Sequence, residues 1–236
     1  MSIGFARRIA ATLMGAACAL ALCACASVSS PVLSHPTETF VPSASGQVLD
    51  LAGGALVLGD GQTIVDTYID PMCPYCGLFE RASGAAIAQL VNDGTITLRV
   101  HLMNFLDRSS EGTAYSSRAG SALACVAKAD PKATLAYLGE LYDNQPQEGT
   151  GGLSDKGLLS LAHSVGADAA ASCITSYRYA GWITTNTQSA VTGPIPGANI
   201  AAITQTPTIL VNGHVYTGAA ADTKALTAFI SAGGTG

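Results

Sequence analysis

Apolar positions change their period along this chain, and the changes outline its elements. Behind Arg7 and Arg8, Ile9 to Leu22 is an apolar stretch rich in small residues. It is short and Ala-rich for a membrane span and has the form of an export signal, residues 1–25. Residues 26–46 show no apolar period, are rich in Ser, Thr, Pro and Ala, and contain Pro31, Pro36 and Pro42, which predicts a flexible linker. The runs Ala55–Gly59 and Thr63–Ile69 then read as two strands, and Asp60-Gly61 between them is a hairpin signal. After Pro74 the period lengthens. Phe79, Ala82, Ala86 and Leu90 share one face of a helix that Asn92-Asp93-Gly94 ends, and Pro74 suits a first turn, where its missing N–H has no partner. Thr95–Met103 returns to alternation, with Ile96, Leu98 and Val100 set against Thr97 and Arg99.

From residue 111 to about 192 the pattern is helical throughout. Candidate segments are Ser116–Ala129, Pro131–Tyr142, Ser154–Val165 and Ala167 to about Ser189. Ser154 suits an N-cap, and Leu158, Leu161, Ala162 and Val165 share a face. Thr208–Val211 and His214–Thr217 flank Asn212-Gly213, a second hairpin signal, and Thr223–Ser231 closes the chain as a helix. Strands on both sides of a helical block predict a βαβ…ββα framework with a helical insertion at about 111–192, all within one domain, residues 47–236.

Composition narrows the class. Eleven Lys and Arg against sixteen Asp and Glu give a net charge of −5, and the basic residues do not cluster outside the leader, which argues against a nucleic-acid partner. Charged residues are 11% and hydrophobic residues 48% of the chain, and the mean hydropathy of +0.34 is raised by the leader. The remainder is long enough to bury a real core. No repeat is evident.

The chemistry centres on Cys73-Pro74-Tyr75-Cys76, at the junction of a predicted strand and a predicted helix. That is where a thioredoxin-like fold keeps its redox dithiol. At a helix N-terminus Cys73 meets free backbone N–H groups and the positive end of the helix dipole, both of which favour thiolate. Cys73 is therefore the expected attacking thiol and Cys76, one turn inside, the resolving one. Pro74 and Tyr75 bring no charge, which predicts a milder oxidant than a His beside the second Cys would make. Thr206-Pro207, ahead of an apolar strand, suits a cis-proline loop facing the dithiol, with Thr206 beside the attacking sulfur. Asp66 and Asp70 are candidate proton acceptors for Cys76, although neither falls on a clearly buried face.

Three further cysteines, Cys18, Cys23 and Cys25, end the leader. Leu22-Cys23-Ala24-Cys25 resembles a lipobox with Cys25 as the lipid-bearing residue, and cleavage near Ala24 or Ala26 without a lipid is the alternative. Export would let disulfides persist. Cys125 and Cys173 lie in two different predicted helices, and a bridge between them would staple the insertion. A second redox pair is the alternative there. A four-cysteine zinc site would need a second paired motif, so no metal and no cofactor is expected.

The ordered set of motifs resembles the DsbA-like thioredoxin-fold proteins of actinobacteria over about residues 47–232. It comprises Asp70-Pro71-Met72-Cys73-Pro74-Tyr75-Cys76, Asn104-Phe105-Leu106-Asp107-Arg108-Ser109, Tyr115-Ser116-Ser117-Arg118-Ala119, Gln145-Pro146-Gln147-Glu148-Gly149, Ala171-Ser172-Cys173-Ile174 and Thr206-Pro207-Thr208-Ile209-Leu210-Val211-Asn212-Gly213. The resemblance implies an α/β, thioredoxin-like fold with an inserted helical domain, a catalytic pair at Cys73 and Cys76, and a cis-proline at Pro207. It also implies an exported, membrane-tethered enzyme. Residues 26–46 are too short and polar for a dimerisation domain, which predicts a monomer. Many relatives carry Glu or Asp six residues before the first active-site Cys. Here Thr67 stands at that position, so water or Asp66 would have to carry the proton. The expected activity is thiol–disulfide oxidoreduction, forming disulfides in exported proteins and reoxidised by a membrane partner of the DsbB or vitamin-K-epoxide-reductase type. A reductase or isomerase running the other way, and a non-catalytic partner-binding lipoprotein, are the rival readings.

Overall fold

The computed structural model describes residues 48–235. The leader, the linker and Cys25 lie outside the described residues. Six strands, β1 (Leu49–Asp50), β2 (Ala55–Leu58), β3 (Thr63–Ile69), β4 (Ile96–Leu102), β5 (Thr208–Val211) and β6 (His214–Val215), form one sheet in the order β1-β2-β4-β3-β5-β6. β3 and β4 run parallel at its centre, joined by the crossover helix α1 (Pro74–Asn92), and the other pairs are antiparallel. Among the described residues no helix is long and apolar enough to cross a membrane.

The centre of the sheet is buried on both faces. In β4, Ile96, Leu98, Val100 and Leu102 are core residues, and Thr97 and His101 between them are buried as well. Thr97 is accommodated because its hydroxyl donates to Gly61 O at 2.7 Å.

That contact explains a correction. The Asp60-Gly61 signal predicted a hairpin between β2 and β3, but β4 lies between them: Leu98 pairs with Leu58 on one side and Val65 on the other. The loop does turn, yet it crosses the start of β4. A Cβ on Gly61 would lie 2.3 Å from Ile96 N, so the crossing needs glycine there. The second hairpin forms as expected, with Asn212 and Gly213 at φ of 47° and 81°, although β6 is only two residues long.

Between β4 and β5 the chain builds α2 (Tyr115–Ala129), α3 (Thr134–Asp143), α4 (Asp155–Ser164), α5 (Ala171–Thr175) and α6 (Ala180–Thr192), and α7 (Thr223–Ser231) closes the fold. Ser154 caps α4, its hydroxyl accepting from Gly157 N at 3.2 Å. The insertion is less continuously helical than its pattern. Residues 144–154 are a loop, and the segment expected from Ala167 to Ser189 is broken where Tyr177 takes φ of 50°. The buried stripe of α1 is Phe79, Ser83, Ile87 and Val91, while Ala82 is exposed. Apolarity alone misplaced that stripe because Ser83 is buried through its hydroxyl, 3.0 Å from Thr223 Oγ1 of α7.

Candidate active site

The strand β3 delivers the chain to the N-terminus of α1, where Cys73 is the N-cap residue and Pro74 the first helical residue. Cys73 has extended φ and ψ of −70° and 119°, and no side chain caps the helix. The first turn holds no charged residue, so the free N–H groups and the helix dipole act on the cysteine sulfurs undiluted. Cys73 and Cys76 are unbonded thiols, both buried, while Tyr75 between them is 67% exposed.

The two thiols are unequal. Cys73 is pushed down to about 6, first by the hydrogen bond from the Cys76 thiol, then by Thr206 and the backbone N–H groups of Cys76 and Tyr75, against the opposing effect of burial. Cys76 is raised well above the ordinary thiol range, chiefly by burial and then by Cys73. One thiolate at neutral pH beside one retained proton is the distribution thiol–disulfide exchange needs.

Opposite the pair lies Thr206-Pro207, joined by a cis peptide bond. Thr206 O accepts from Cys73 Sγ at 3.3 Å. That carbonyl favours the thiol, whereas the Thr206 hydroxyl favours the thiolate. The two Thr206 groups thus pull in opposite directions, and the stronger bond from Cys76 decides the outcome. The structure brings together Cys73, Pro74, Tyr75 and Cys76 with Thr206 and Pro207, from two separate stretches of chain.

The sequence reading named Asp66 and Asp70 as candidate proton acceptors, placed neither on a clearly buried face, and turned to Asp66 or water once Thr67 stood at the usual acidic position. Both are buried. Asp66 accepts from His101 Nε2 at 2.8 Å and lies 3.4 Å from Arg99 Nε, so a cation and an imidazole already engage it. Asp70 instead stands beside the dithiol. Its N–H donates to Cys76 Sγ at 3.4 Å, and its carboxylate accepts from Met72 N at 2.8 Å, Leu106 N at 2.9 Å and Ser116 Oγ at 2.6 Å. Burial pushes Asp70 up to about 6 against those three donors. A third acid went unnoticed in the sequence. Glu80, one turn beyond Cys76 on α1, lines a small cavity together with Thr67, and burial followed by the charge of Asp143 pushes it up to about 7. Its signal was its spacing of four from Cys76, which places both on one side of the helix.

Cys125 of α2 and Cys173 of α5 form a disulfide within the insertion. Its closure joins the long buried helix to the short one after the Asp168–Ala170 turn.

Comparison with known proteins agrees with this geometry. The family described as Thioredoxin matches residues 53–232. Reduced disulfide bond oxidoreductase DsbG from Mycobacterium tuberculosis is similar over 77% of this chain and 93% of its own, at 27% identity and a TM-score of 0.62. Oxidised DsbA from the same organism is similar over 76% of this chain and 97% of its own, at 26% identity and a TM-score of 0.60. The serine/threonine-protein kinase PknE of Mycobacterium tuberculosis strain H37Rv is 37% identical over 160 residues, 61% of this chain. That match spans only 28% of the kinase. The fold and the dithiol define a DsbA-like thiol–disulfide oxidoreductase. The chain belongs to the thioredoxin family that the match over residues 53–232 defines.

Proposed function

We propose that this protein works outside the cytoplasm and forms disulfides in exported proteins, with Cys73 as the exchanging thiol and Cys76 as its partner. The observation that carries the reading is the inequality of the two thiols at the N-terminus of α1, one pushed down to about 6 and the other raised. A thiolate populated at neutral pH stabilises the reduced form against the disulfide, and that makes the disulfide form the better oxidant.

In the forward direction a substrate thiolate attacks Cys73 of the Cys73–Cys76 disulfide. The new bond joins the substrate sulfur to Cys73, and Cys76 leaves as a thiolate and takes a proton. A second substrate thiolate then attacks its neighbour in the mixed disulfide and expels Cys73 as a thiolate. The substrate has lost two electrons to the dithiol. A membrane quinone-linked reductase of the DsbB or vitamin-K-epoxide-reductase type would return the pair to the disulfide. Cys25 would carry the lipid that tethers the domain, as a monomer, to the outer face of the cell membrane. Pro207 and Thr206 would face an extended substrate segment, whose backbone can pair with the strand edge there. Tyr75, exposed beside Pro74, would form the rim of that contact.

The equilibrium potential of Cys73–Cys76 against glutathione buffers tests the direction. A value between about −120 and −180 mV supports disulfide formation, and a value near about −270 mV supports the reductase reading. Cys76→Ser expressed in its host should trap substrates on Cys73 as adducts that dithiothreitol releases. Their absence would count against any exchange activity.

A further inference from the structure

The helical insertion touches the dithiol through one side chain that the chemistry above does not use. Gln145, in the loop after α3, donates from Nε2 to Cys73 O at 2.9 Å and to Pro71 O at 3.1 Å. Its amide has two N–H groups, and each finds a carbonyl on either side of Met72. The chemistry also settles which end of the amide faces the loop, since reversal would set Oε1 against two carbonyl oxygens. Cys73 O accepts the Gly77 N–H at 3.1 Å as well, so both of its lone pairs are used.

The other end of the amide is equally confined. A Cβ on Gly77 would lie 2.1 Å from Gln145 Oε1 and 2.9 Å from Arg81 Nη1. Arg81 Nη1 in turn donates to Tyr142 O at 2.9 Å, at the end of α3. Gly77, the residue after the dithiol, thus leaves the space that Gln145 fills. α3 ends at Asp143, and Pro146 disfavours the helical region for the residue before it, which keeps Gln145 in the loop.

We propose that Gln145 is the positioning residue of the dithiol, a clamp from the insertion that holds the Cys73 carbonyl and thereby aims the Cys73 sulfur at its N–H donors. No side chain caps α1, so the orientation of the Cys73 peptide rests on the two donors to its carbonyl, the Gly77 N–H within the helix and Gln145 Nε2 from outside it. The N–H groups of Tyr75 and Cys76 stabilise the thiolate only while the sulfur points at them. The amide also sets the positive end of its own dipole beside the sulfur-bearing residue. The clamp rests on the reading of Cys73 as the exchanging thiol and is independent of the direction in which exchange runs.

The test is a titration of the reduced protein by thiolate absorbance at 240 nm, with alkylation mapping to assign the step to Cys73. Gln145→Leu should raise the Cys73 pKa by about half to one unit, the scale of one or two neutral hydrogen bonds. Alkylation of Cys73 at the parent's titration midpoint should slow roughly twofold to fivefold, in proportion to the thiolate lost. Gln145→Glu, which sets a carboxylate against two carbonyls, should shift it further in the same direction. Gly77→Ala keeps the glutamine but displaces it, and should reproduce the upward shift, which decides the matter if Gln145→Leu does not fold. Gln147→Leu, two residues on in the same loop, should leave the titration in place. Loss of thermal stability in Gln145→Leu and Gly77→Ala with an unmoved Cys73 titration overturns the proposal. A failure to trap substrates on Cys76→Ser would sink the exchange activity and leave this titration unaffected.

Discussion

Asp70 donates its backbone N–H to Cys76 Sγ at 3.4 Å, and Ser116 of α2 donates to the Asp70 carboxylate at 2.6 Å. A fully buried acid therefore joins Cys76 to the helical insertion. The same residue gives up its carbonyl to Tyr142 Oη at 3.1 Å, so α2 and α3 both hold it.

Asp70→Asn should change stability in a pH-dependent way. The folded state raises Asp70 from 3.8 to about 6, so the folded protein binds this proton more tightly than the unfolded chain. Stability from this group is therefore highest below pH 4 and falls as pH rises toward 6, by about 3 kcal/mol. Asparagine removes that loss but also removes an acceptor for Leu106, Met72 or Ser116, at a cost of about 1–3 kcal/mol. Urea midpoints of the two proteins should lie close together at pH 7.5, and the variant should be clearly weaker at pH 4. A uniform deficit at both values would contradict this account.

Glu80→Gln should stabilise the protein at neutral pH. Among the described residues Glu80 makes no hydrogen bond, and its carboxyl is raised from 4.5 to about 7. The sign is that of Asp70: stability is lost as pH rises through this window. Removing the charge should gain about 1–2 kcal/mol at pH 7.5 and nothing at pH 4.5. Calorimetric melting at the two pH values reads this directly, and a variant less stable at pH 7.5 would refute the prediction.

Cys73 titrates in the opposite sense. Its folded pKa is depressed from 9.0 to about 6, so the stability it contributes is present at high pH and is lost as pH falls toward 6. Only the dithiol form holds this group. Reduced protein should gain stability relative to oxidised protein between pH 6 and pH 8. Absorbance at 240 nm should show a step near pH 6 that Cys73→Ser abolishes. A step that survives the substitution would assign the low pKa elsewhere.

The Cys125–Cys173 bridge closes a loop across a sequence separation of 48 residues. Replacing both by Ala should destabilise the protein by about 4 kcal/mol, the chain-entropy scale for a loop of this length. The Cys73 titration should not move, because the bridge contributes no charge to the site. Urea denaturation of the oxidised double variant is the measurement, and a midpoint equal to that of the parent would remove the staple from the account.

Much of this was legible in the chain, for reasons that differ residue by residue. Cys73 and Cys76 announce themselves because the spacing, the strand before them and the helix after them are all local features. Asn212-Gly213 does so because a two-residue turn admits few alternatives. Asp60-Gly61 carried the same signal and a different outcome. What lies beside β2 depends on β4, some forty residues later, and no window around the turn contains that information. The burial of Asp70, already a candidate by its place before the dithiol, and the part of Glu80 altogether were hidden for a related reason. Burial of a carboxylate is decided by donors such as Leu106 and Ser116, or by a cavity wall formed from Thr67 and Leu138, which only the folded sheet brings near.

The pairing of β3 with β5 has a consequence for the order in which the molecule comes into being. Thr67 meets Ile209, and Cys73 meets Thr206, across most of the length of the domain. A ribosome delivers the two cysteines early and the residues that complete their surroundings late. During that interval the nascent chain offers its thiols without the carbonyl and the proline that face them in the finished fold. Maturity of the redox centre is thus a property of the last segment to emerge, and a chain stopped short of residue 206 carries the dithiol without half of its active site.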